Sequence, residues 1–386
     1  MSAVGWDADA EIATWPGLPE LREDVAADAC VVGLGASGLA AVRSLADRGL
    51  SVIGVDAGRV GAGAAGRNGG FLLGGPALFL HDAIARWGEQ AAVALYRETL
   101  NELEAVVADV GPEVVQRTGS IRLVGLPGDP VDAAEMEDRA RETADCAEHA
   151  AVLRAHGFAV EDYDGPLGAG IFLPDDAAMN PALRVVRTAN RLARAARLFE
   201  NSPVSEVRSG AVTTTRGVVR APIIVVAVDG RLEVMLPQLS GRVRTARLQM
   251  LASAPITAGR LPCPVYGRWG YDYAQQTADG RIFAGGGRDR FVDDEWTTDT
   301  APTEPVQRHI EHVAERMAGS AVDVTHRWAA SVGFTGDGRP LCVEVDDGVF
   351  AVGGYNGTGN LVGPITVRAA VARALDGTAP PAHLTA

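Results

Sequence analysis

Apolar runs and a segment of helical spacing alternate at the beginning of the chain. Residues 28–34, DACVVGL, contain an apolar run of strand length. Residues 39–48 have the apolar spacing of a helix, with Gly49 as its predicted C-cap. A second apolar run, residues 51–55, is followed by Asp56. The pattern therefore predicts a βαβ unit, in which two parallel strands flank a helix.

Three glycines in the order G-x-G-x-x-G lie between the first predicted strand and the helix. Gly33, Gly35 and Gly38 permit a tight turn and a close approach of the backbone to a ligand, and the helix N-terminus directs N–H groups at a pyrophosphate. Asp56 follows Gly38 by 18 residues and can accept a hydrogen bond from a ribose hydroxyl. We therefore predict a dinucleotide site here. The alternative is a glycine-rich turn that serves only helix packing.

A second stretch, residues 61–70, is almost free of side chains. Its sequence is GAGAAGRNGG, in which every residue except Arg67 and Asn68 is Gly or Ala. Such a loop gives up packing and adds chain entropy, so we infer that its backbone must come close to a ligand. Nicotinamide enzymes do not need a second glycine-rich loop at this point, and the loop therefore favours FAD.

Composition narrows the class of protein. With 386 residues, 47% of them hydrophobic, the chain can bury a large core in two or three domains. Its four cysteines form no CxxC pair, which predicts free thiols and no metal site. Glu11 and Glu20 interrupt the region where a signal peptide would need an apolar run, so we expect a soluble, cytoplasmic protein with no membrane partner.

The charged residues argue against two further classes of protein. A net charge of −14 argues against a nucleic-acid partner. All 35 basic residues are arginine, which excludes Schiff-base enzymes because these require a lysine amine.

Several segments in a fixed order resemble one family of flavoenzymes. The loop at 61–70, with residues 56–59 before it, resembles the D-amino-acid oxidase or glycine-oxidase-like superfamily of FAD enzymes. GSIRLVG at 119–125 resembles the first strand of the family's substrate domain. Residues 247–253, residues 271–275 and DGRIFAGGGRD at 279–289 resemble its amine-oxidising branch, which includes gamma-glutamylputrescine oxidase. The pattern is completed by HRWAASVGFTGDGRPL at 326–341 and VFAVGGYNGTGNLVGP at 349–364. The run APIIVVAV at 221–228 also fits, but Asp229 follows it where the family usually has a small residue.

The resemblance implies an α/β fold with two interleaved domains. The Rossmann-like FAD-binding domain comprises residues 28–75, 183–240 and 326–386. An α+β substrate domain built on an antiparallel sheet comprises residues 76–182 and 241–325, and residues 1–27 form a polar N-terminal arm. The amphipathic segment 183–198 is expected to be the helix that returns the chain to the FAD domain.

The resemblance also implies non-covalent FAD and the residues that hold it. No cysteine or histidine lies in a context typical of covalent flavin attachment. Backbone groups at Val204 are expected at the adenine end, and the loop 354–359 is expected to direct N–H groups and the next helix N-terminus at the flavin. The predicted cofactor-binding residues are Gly33, Leu34, Gly35, Ser37, Gly38, Asp56, Ala57, Ala64, Ala65, Arg67, Asn68, Gly69, Val204, Gly354, Tyr355, Asn356, Gly357, Thr358 and Gly359.

The implied reaction is oxidation of a C–N bond. In this family a hydride passes from the carbon that carries a neutral amine to the flavin, and oxygen then reoxidises the flavin. The resemblance therefore implies an oxidoreductase that uses a small amine and molecular oxygen and produces an imine and hydrogen peroxide. The alternatives are an amino-acid oxidase, a dehydrogenase with another electron acceptor, a flavin monooxygenase and a non-catalytic flavoprotein subunit. The predicted catalytic residues are Tyr273, Arg288 and Trp328.

Two basic residues that hold an α-carboxylate in related enzymes are missing from this chain. Glycine-oxidase-like members have an Arg four residues after the Trp, where this chain has Val332. Sarcosine-oxidase-like members have a Lys just after the C-terminal G-x-G, where this chain has Asn360 and Leu361. We therefore predict an amine without an α-carboxylate, or one whose acid group is held elsewhere. Arg288 and Arg327 are the alternative anchors.

Overall fold

The computed structural model describes residues 4–128, 133–257 and 260–386. In chain order its β-strands are β1 (Val25–Ala26), β2 (Ala29–Val32), β3 (Val52–Val55), β4 (Phe71–Leu72), β5 (Val115–Gln116), β6 (Ser120–Leu123), β7 (Glu161–Gly165), β8 (Gly168–Leu173), β9 (Ala177–Met179), β10 (Arg197–Phe199), β11 (Val204–Arg208), β12 (Ala211–Thr214), β13 (Val218–Arg220), β14 (Ile223–Val226), β15 (Val243–Ser253), β16 (Val265–Gly267), β17 (Asp272–Gln276), β18 (Ile282–Gly285), β19 (Val324–Thr335), β20 (Leu341–Asp346) and β21 (Val349–Gly353). Its α-helices are α1 (Ala10–Thr14), α2 (Ala36–Ala46), α3 (Ala64–Arg67), α4 (Leu80–Trp87), α5 (Glu89–Val110), α6 (Ala133–Ala155), α7 (Pro181–Leu192), α8 (Leu232–Met235), α9 (Val292–Glu295), α10 (Glu304–Ala318) and α11 (Val362–Asp376).

One large sheet is mostly parallel and has the strand order β10-β3-β2-β14-β21-β20. The strands from β10 to β21 are parallel to one another, and β20 pairs antiparallel with β21. The helices α2, α7 and α11 contribute Leu39, Val185 and Val367, all fully buried, to the core on this sheet. The elements β2, α2 and β3 are the predicted βαβ unit, so this prediction is confirmed.

Two predicted helix boundaries differ from the structure. The helix α2 has its C-cap at Asp47, and Gly49 closes the next turn with a φ of +82°. The predicted return helix 183–198 is helical only as far as Leu192, where α7 ends. The following segment forms β10 at the edge of the parallel sheet, because Leu198 packs into the core of that sheet.

The second large sheet has the order β19-β15-β18-β17-β16-β6-β8-β7. Every neighbouring pair is antiparallel except β16 with β6. The helix α10 covers one face through Ile310, Val313 and Met317, which are fully buried. We call the opposite face the inner face. The smaller sheets are β1-β13-β12-β11 and β4-β9-β5. The predicted combination of a parallel-sheet domain with an antiparallel sheet is confirmed.

The N-terminal arm packs into the molecule through apolar residues. Val4, Trp6 and Ile12 are buried in the core on the inner face, together with Met250 and Phe283. The Trp6 ring stacks on Phe283, with ring centroids 3.5 Å apart and planes 10° from parallel. Although the arm is polar in overall composition, these three side chains fix it to the antiparallel sheet.

All four cysteines lie in the interior of the protein. Cys30, Cys146, Cys263 and Cys342 are buried and unpaired, as the spacing predicted.

Within the described ranges, none of the helices combines the length and the apolar character needed to span a bilayer.

Asp229 connects the end of β14 to two other parts of the backbone. Its carboxylate accepts hydrogen bonds from the N–H groups of Tyr355, at 3.1 Å, and Gly333, at 3.2 Å. The residue has a φ of +56°, a conformation that Asp tolerates better than most residues. Burial raises the pKa of Asp229 to about 6. The carboxylate thus fixes the segment after β21 to β19.

Two glycines in the loop 61–70 provide a matched test of why the loop lacks side chains. A Cβ atom on Gly66 would lie 2.7 Å from Gly61 Cα and closer still to its carbonyl oxygen, whereas one on Gly63 would meet nothing within 4 Å. We expect Gly66→Ala to lower the free energy of unfolding of the protein by about 2 kcal/mol through steric overlap. Gly63→Ala is the control and should change it by less than about 0.5 kcal/mol when both variants are compared in the ligand-free form. Equal destabilisation in denaturant titrations of the two variants would contradict this prediction.

Asp229 should make folding stability depend on pH. A carboxyl whose pKa rises from 3.8 to about 6 on folding binds its proton more tightly in the folded state. The resulting stabilisation is present below pH 3.8 and is lost as the pH rises through about 6. We therefore expect the wild type to gain about 1 kcal/mol relative to Asp229→Asn when the pH falls from about 7 to about 5. Denaturant titrations at both pH values measure this difference, and a pH-independent difference would contradict the prediction.

Candidate active site

The turn between β2 and α2 has the backbone geometry of an anion site. Gly33 has a φ of +92°, and a Cβ atom on Gly38 would overlap the carbonyl of Gly33, so both positions require glycine. Gly35 is the N-cap of α2 and provides no side-chain cap for the N–H groups of the first turn. A Cβ atom on Gly35 would lie 3.3 Å from Cβ of Ala65, so the two glycine-rich loops face each other.

Asp56 lies beside this turn, at the end of β3. Its Oδ2 atom accepts from Leu34 N at 2.7 Å and its Oδ1 atom accepts from Gly58 N at 3.0 Å. Burial raises the pKa of Asp56, and these N–H groups act in the opposite direction. Each carboxylate oxygen can accept a further hydrogen bond. Ser202 N donates to the Asp56 carbonyl at 2.8 Å, which brings Val204, two residues later, towards the same end of the sheet.

The loop 61–70 is organised around Asn68. The Asn68 Nδ2 atom donates to the carbonyls of Ala64 and Ala65, both at 3.0 Å, and Oδ1 accepts from Gly70 N at 2.8 Å. The Asn68 and Asn360 side chains also donate to each other, at 3.2 and 3.1 Å. These contacts join the loop to the C-terminal segment and occupy the whole Asn68 amide. Ala57, also predicted at the cofactor, is exposed.

Three successive carbonyls of the same loop are held by side chains from elsewhere in the chain. The pairs are Trp328 Nε1 with Arg67 O (2.8 Å), Trp6 Nε1 with Asn68 O (2.9 Å) and Gln275 Nε2 with Gly69 O. We call these the anchored carbonyls. Two of the donors belong to the antiparallel sheet and one belongs to the N-terminal arm. The loop is therefore fastened to the inner face of that sheet.

The Arg67 guanidinium is held near the arm. Burial lowers the pKa of Arg67, and the nearby Asp7 carboxylate opposes that effect. Burial also raises the pKa of Asp7. Arg67 Nε is buried without a hydrogen-bond partner among the described residues.

The C-terminal loop packs on the first turn of α2. A Cβ atom on Gly363 would lie 3.2 Å from Ser37 Cβ and 3.3 Å from Tyr355 Cε2. Thr358 Oγ1 donates to the Tyr355 carbonyl at 2.8 Å, and a Cβ atom on Gly359 would lie 3.0 Å from the Tyr355 ring. Ser37 of α2 and Tyr355 of this loop, both predicted at the cofactor, therefore lie against the same glycine of α11.

Asn356 sets the path of this loop. It has a φ of +55°; its Oδ1 atom accepts from Thr335 N at 3.0 Å, and its Nδ2 atom donates to Gly354 O at 2.7 Å. A Cβ atom on Gly357 would meet nothing within 4 Å. The helix α11 begins directly after the loop, and its N-cap, Leu361, provides no side-chain hydrogen bond. The N–H groups of Val362 and Gly363 in its first turn donate to the carbonyls of Thr358, at 3.1 Å, and Gly359, at 3.2 Å.

A row of side chains crosses the inner face of the antiparallel sheet. Directly paired positions on neighbouring strands, from β19 to β6, are Trp328, Met250, Gly285, Tyr273, Tyr266 and Arg122. Paired positions share one face of a sheet, so we call this set the cross-strand row. The Tyr266 and Tyr273 ring centroids lie 5.7 Å apart, and a Cβ atom on Gly69 would lie 3.2 Å from the Tyr273 ring. The row therefore meets the loop 61–70 at Trp328 and Tyr273.

The two tyrosines of this row remain phenols at neutral pH. Burial raises the pKa of both Tyr266 and Tyr273 above the ordinary value of 10.0. Phe71 packs against both rings, with centroid distances of 5.1 and 5.6 Å. Each hydroxyl can therefore donate a hydrogen bond but does not act as a base near neutral pH.

The alternative basic residues lie in different environments. Arg327 faces α10, where it donates to Gln307 Oε1 at 3.1 Å and to Glu311 Oε2 at 2.6 Å. Because it lies on the opposite face from Trp328, the structure does not bring it to the cross-strand row. The Arg288 guanidinium carbon lies 4.0 Å from the Phe334 ring centroid, and it makes no ion pair with a residue that the structure describes.

Val332 and Leu361 are buried apolar residues, with 8% and 2% of their surface exposed. Leu361 packs in the same core as Trp328. Neither position therefore offers a partner for an acid group.

Several residues of this region were not found from the sequence. Trp6, Gln275 and Asn360 fix the loop 61–70 from distant parts of the chain. Gln275 and Asn360 lie in segments that resemble the family, but nothing in those segments indicates a contact with the loop, and no motif marks Trp6. Arg122 had one available signal, because it is a charged residue between Ile121 and Leu123 in a predicted strand.

Known proteins share this sequence pattern and fold. Gamma-glutamylputrescine oxidoreductase of Escherichia coli strain K12 is 24% identical over 378 residues, which cover 88% of this chain and 81% of that protein. A probable oxidoreductase, OrdL, of Rhizobium meliloti is 27% identical over 376 residues, or 91% of this chain and 83% of that protein. Glycine oxidase from Geobacillus kaustophilus has a similar structure, with a TM-score of 0.69, 19% identity and coverage of 92% and 95% of the two chains. L-proline dehydrogenase from P. horikoshii also has a TM-score of 0.69, with 18% identity and coverage of 95% and 96%.

A family model extends over nearly the whole sequence. The model for FAD dependent oxidoreductases, named DAO, matches residues 28–373. The match includes both glycine-rich loops, the cross-strand row and most of the C-terminal helix. This chain therefore belongs to the DAO family of FAD-dependent oxidoreductases.

Proposed function

We propose that this protein oxidises the C–N bond of a small amine to an imine, with molecular oxygen as the final electron acceptor. The observation that supports this proposal is the set of anchored carbonyls, which holds a side-chain-poor loop against the aromatic part of the cross-strand row. Hydrogen peroxide formation against a panel of amines, measured beside anaerobic bleaching of the flavin, tests it. Bleaching without peroxide would favour a dehydrogenase instead.

The residues present fit FAD at the junction of three segments. The uncapped first turn of α2 suits a pyrophosphate, and Asp56 has acceptor capacity for a ribose hydroxyl. Val204 would approach the adenine end. The loop residues Ala64 to Gly69 and the C-terminal residues Gly354 to Gly359 would hold the flavin. A Cβ atom on Gly63 or Gly357 would meet no protein atom within 4 Å, so the loops have open space beside their backbone.

FAD, when bound, supplies the hydride acceptor for the oxidation. The chain has to orient the amine, keep it neutral and exclude water. Trp328 and Met250, each with 2% of its surface exposed, belong to the apolar core at this end of the cross-strand row, and such a weakly polar region disfavours an ammonium ion and hence selects the free amine. Tyr273 presents a protonated hydroxyl beside the loop, and we assign it the role of orienting the substrate.

Two features would stabilise negative charge at the flavin. The N-terminus of α11 carries a partial positive charge and lies directly after the loop 354–359. Arg288 carries a full charge and rests on the Phe334 ring, with Trp296 at 5.2 Å on the same guanidinium. Because no ion pair with a described residue neutralises it, we assign Arg288 the role of supplying positive charge during oxygen reduction.

A second candidate function is a dehydrogenase or an amino-acid oxidase. The fold alone does not choose between them, because glycine oxidase and L-proline dehydrogenase share it. Buried Val332 and Leu361 at the two anchor positions favour an amine over an α-amino acid.

We expect FAD to be bound without a covalent bond. All four cysteines are buried, and burial raises the thiol pKa of Cys30, Cys263 and Cys342 to about 12, so none is poised as a nucleophile. The purified protein should be yellow, and acid precipitation should release the flavin into the supernatant as FAD. Absorbance at the flavin band in supernatant and pellet measures this. Flavin that stays with the pellet would contradict the prediction.

Simple α-amino acids should be poor substrates. A carboxylate placed against Val332 or Leu361 would lose water without gaining a partner, which costs several kcal/mol. We expect glycine, sarcosine and D-alanine to reduce the flavin at least about a hundredfold less efficiently than the best amine, a gap of about 2.7 kcal/mol. Anaerobic stopped-flow rates measure the gap.

One result would reverse that conclusion. If an ordinary α-amino acid bleaches the flavin quickly, and Arg288→Ala abolishes the reaction while the exposed control Arg290→Ala does not, then Arg288 is the carboxylate anchor. The enzyme would then be an amino-acid oxidase.

A further inference from the structure

Arg122 ends the cross-strand row and has no hydrogen-bond acceptor among the residues that the structure describes. It lies on β6, directly opposite Tyr266 of β16. Its Nε atom is buried without a hydrogen-bond partner, and its guanidinium forms no ion pair with the residues that the structure describes. An arginine carries five N–H donors and stays charged. A partly buried guanidinium without acceptors is costly unless an anion binds there.

The nearby carboxylates are already committed to other donors. Asp176 accepts from Ser120 Oγ at 2.6 Å and from Gly74 N at 2.7 Å. Glu142 accepts from Gly125 N at 2.7 Å and from the Trp269 backbone N–H. Neither carboxylate forms an ion pair with Arg122, although the charge of Arg122 acts to lower the pKa of both, against the larger effect of burial, which raises it. Both carboxylates therefore lie near Arg122 but accept no hydrogen bond from it.

Two aromatic rings flank the guanidinium. Its central carbon lies 4.6 Å from the Phe79 ring centroid and 5.9 Å from the Tyr266 ring centroid. Contact with ring faces stabilises the cation, and it leaves the N–H groups at the edge of the planar guanidinium available. Such an edge pairs well with a carboxylate through two parallel hydrogen bonds. The committed carboxylates nearby disfavour a dianion such as a phosphate monoester.

The position of Arg122 on the sheet fixes how far it is from the loop 61–70. Arg122 on β6 is separated from Tyr273 on β17 by two strand spacings, with Tyr266 between them. Two spacings amount to roughly 10 Å. An acid group on Arg122 would therefore lie at the β6 end of the cross-strand row, and several bonds fit between it and an amine carbon that is oxidised beside that loop.

We propose that Arg122 binds a distal carboxylate of the substrate, several bonds away from the amine carbon that is oxidised. The substrate class is an amine with an acid group at the far end of its chain. The tyrosines between the two ends of the cross-strand row would line the path of the connecting atoms. This inference rests on the proposed amine oxidation, and it accounts for the absence of both α-carboxylate anchors.

The test compares amines of similar length with and without an acid group. Anaerobic flavin reduction is measured with 6-aminohexanoate, 4-aminobutyrate and n-hexylamine. We expect 6-aminohexanoate to be at least about tenfold more efficient than n-hexylamine, as two charge-assisted hydrogen bonds would give. In Arg122→Gln this ratio should fall to near one, and in Arg122→Lys it should be intermediate because a lysine lacks the planar pair of donors. The exposed control Arg117→Gln, which removes the same charge just after β5, should keep the wild-type ratio.

A binding measurement separates this inference from the proposed function. Hexanoate carries the acid group but no amine, and we expect it to raise the melting temperature of the wild-type holoenzyme and of Arg117→Gln but not that of Arg122→Gln. If hexanoate binding depends on Arg122 while no amine reduces the flavin, the acid site stands and amine oxidation is wrong. If amines reduce the flavin with no preference for an acid group, and hexanoate acts equally on Arg122→Gln, the Arg122 inference is wrong and the proposed function stands. If Arg122→Gln does not fold, Arg122→Lys replaces it in both measurements. A ratio and a hexanoate shift below the wild-type values support the inference, and unchanged wild-type values contradict it.

Discussion

The three hydrogen bonds to the anchored carbonyls are the interaction on which the rest of the site depends. A loop made almost entirely of Gly and Ala has few side chains with which to fix its own position, and its high chain entropy favours disorder. The two indole N–H groups and the Gln275 amide supply that fixation from outside. Each bond contributes about 1 kcal/mol net, but a buried carbonyl left without a donor would cost more. The loop therefore takes its shape only when the antiparallel sheet and the N-terminal arm are already folded.

The polar side chains Asn68, Asn356 and Asp229 bond to other protein groups and so hold the shape of the two loops. The Asn68 amide makes hydrogen bonds with Ala64, Ala65, Gly70 and Asn360, so its side chain fixes the loop. Asn356 and Asp229 do the same for the C-terminal loop through Thr335 and Tyr355. In both loops the side chains hold the shape, and the backbone is what remains for a ligand. A buried carboxylate at Asp229, where the family usually has a small residue, is an additional tie between β14 and the C-terminal loop.

Much of the fold could be predicted from the sequence, because the signals are local. Gly33 and Gly38 mark a turn whose geometry only glycine tolerates, and the apolar runs on either side predict the strands that the structure contains. The end of α7 could not be predicted, since apolar spacing continues from the helix into β10 and only tertiary pairing with β3 separates them. The role of Trp6 could not be predicted for a related reason. Its partners, Phe283 and the Asn68 carbonyl, are far away in sequence, and the arm around it is polar in composition.

The predicted catalytic residues show the same limit of sequence reasoning. Trp328 and Tyr273 do meet at the loop 61–70, because cross-strand pairing puts them in one row, whereas Arg288 lies outside that row. Neighbouring strands of a sheet lie at a nearly constant spacing of about 4.7–4.9 Å, so the number of strands between two residues sets their distance across the sheet. Trp328 and Gln275 hold the loop from β19 and β17, and Arg122 lies two strands beyond Tyr273 on β6. A change of side chain at the β6 end of the row would therefore leave in place the donors that fix the loop. The fold thereby separates the residues that hold the loop 61–70 rigid from those at the far end of the row.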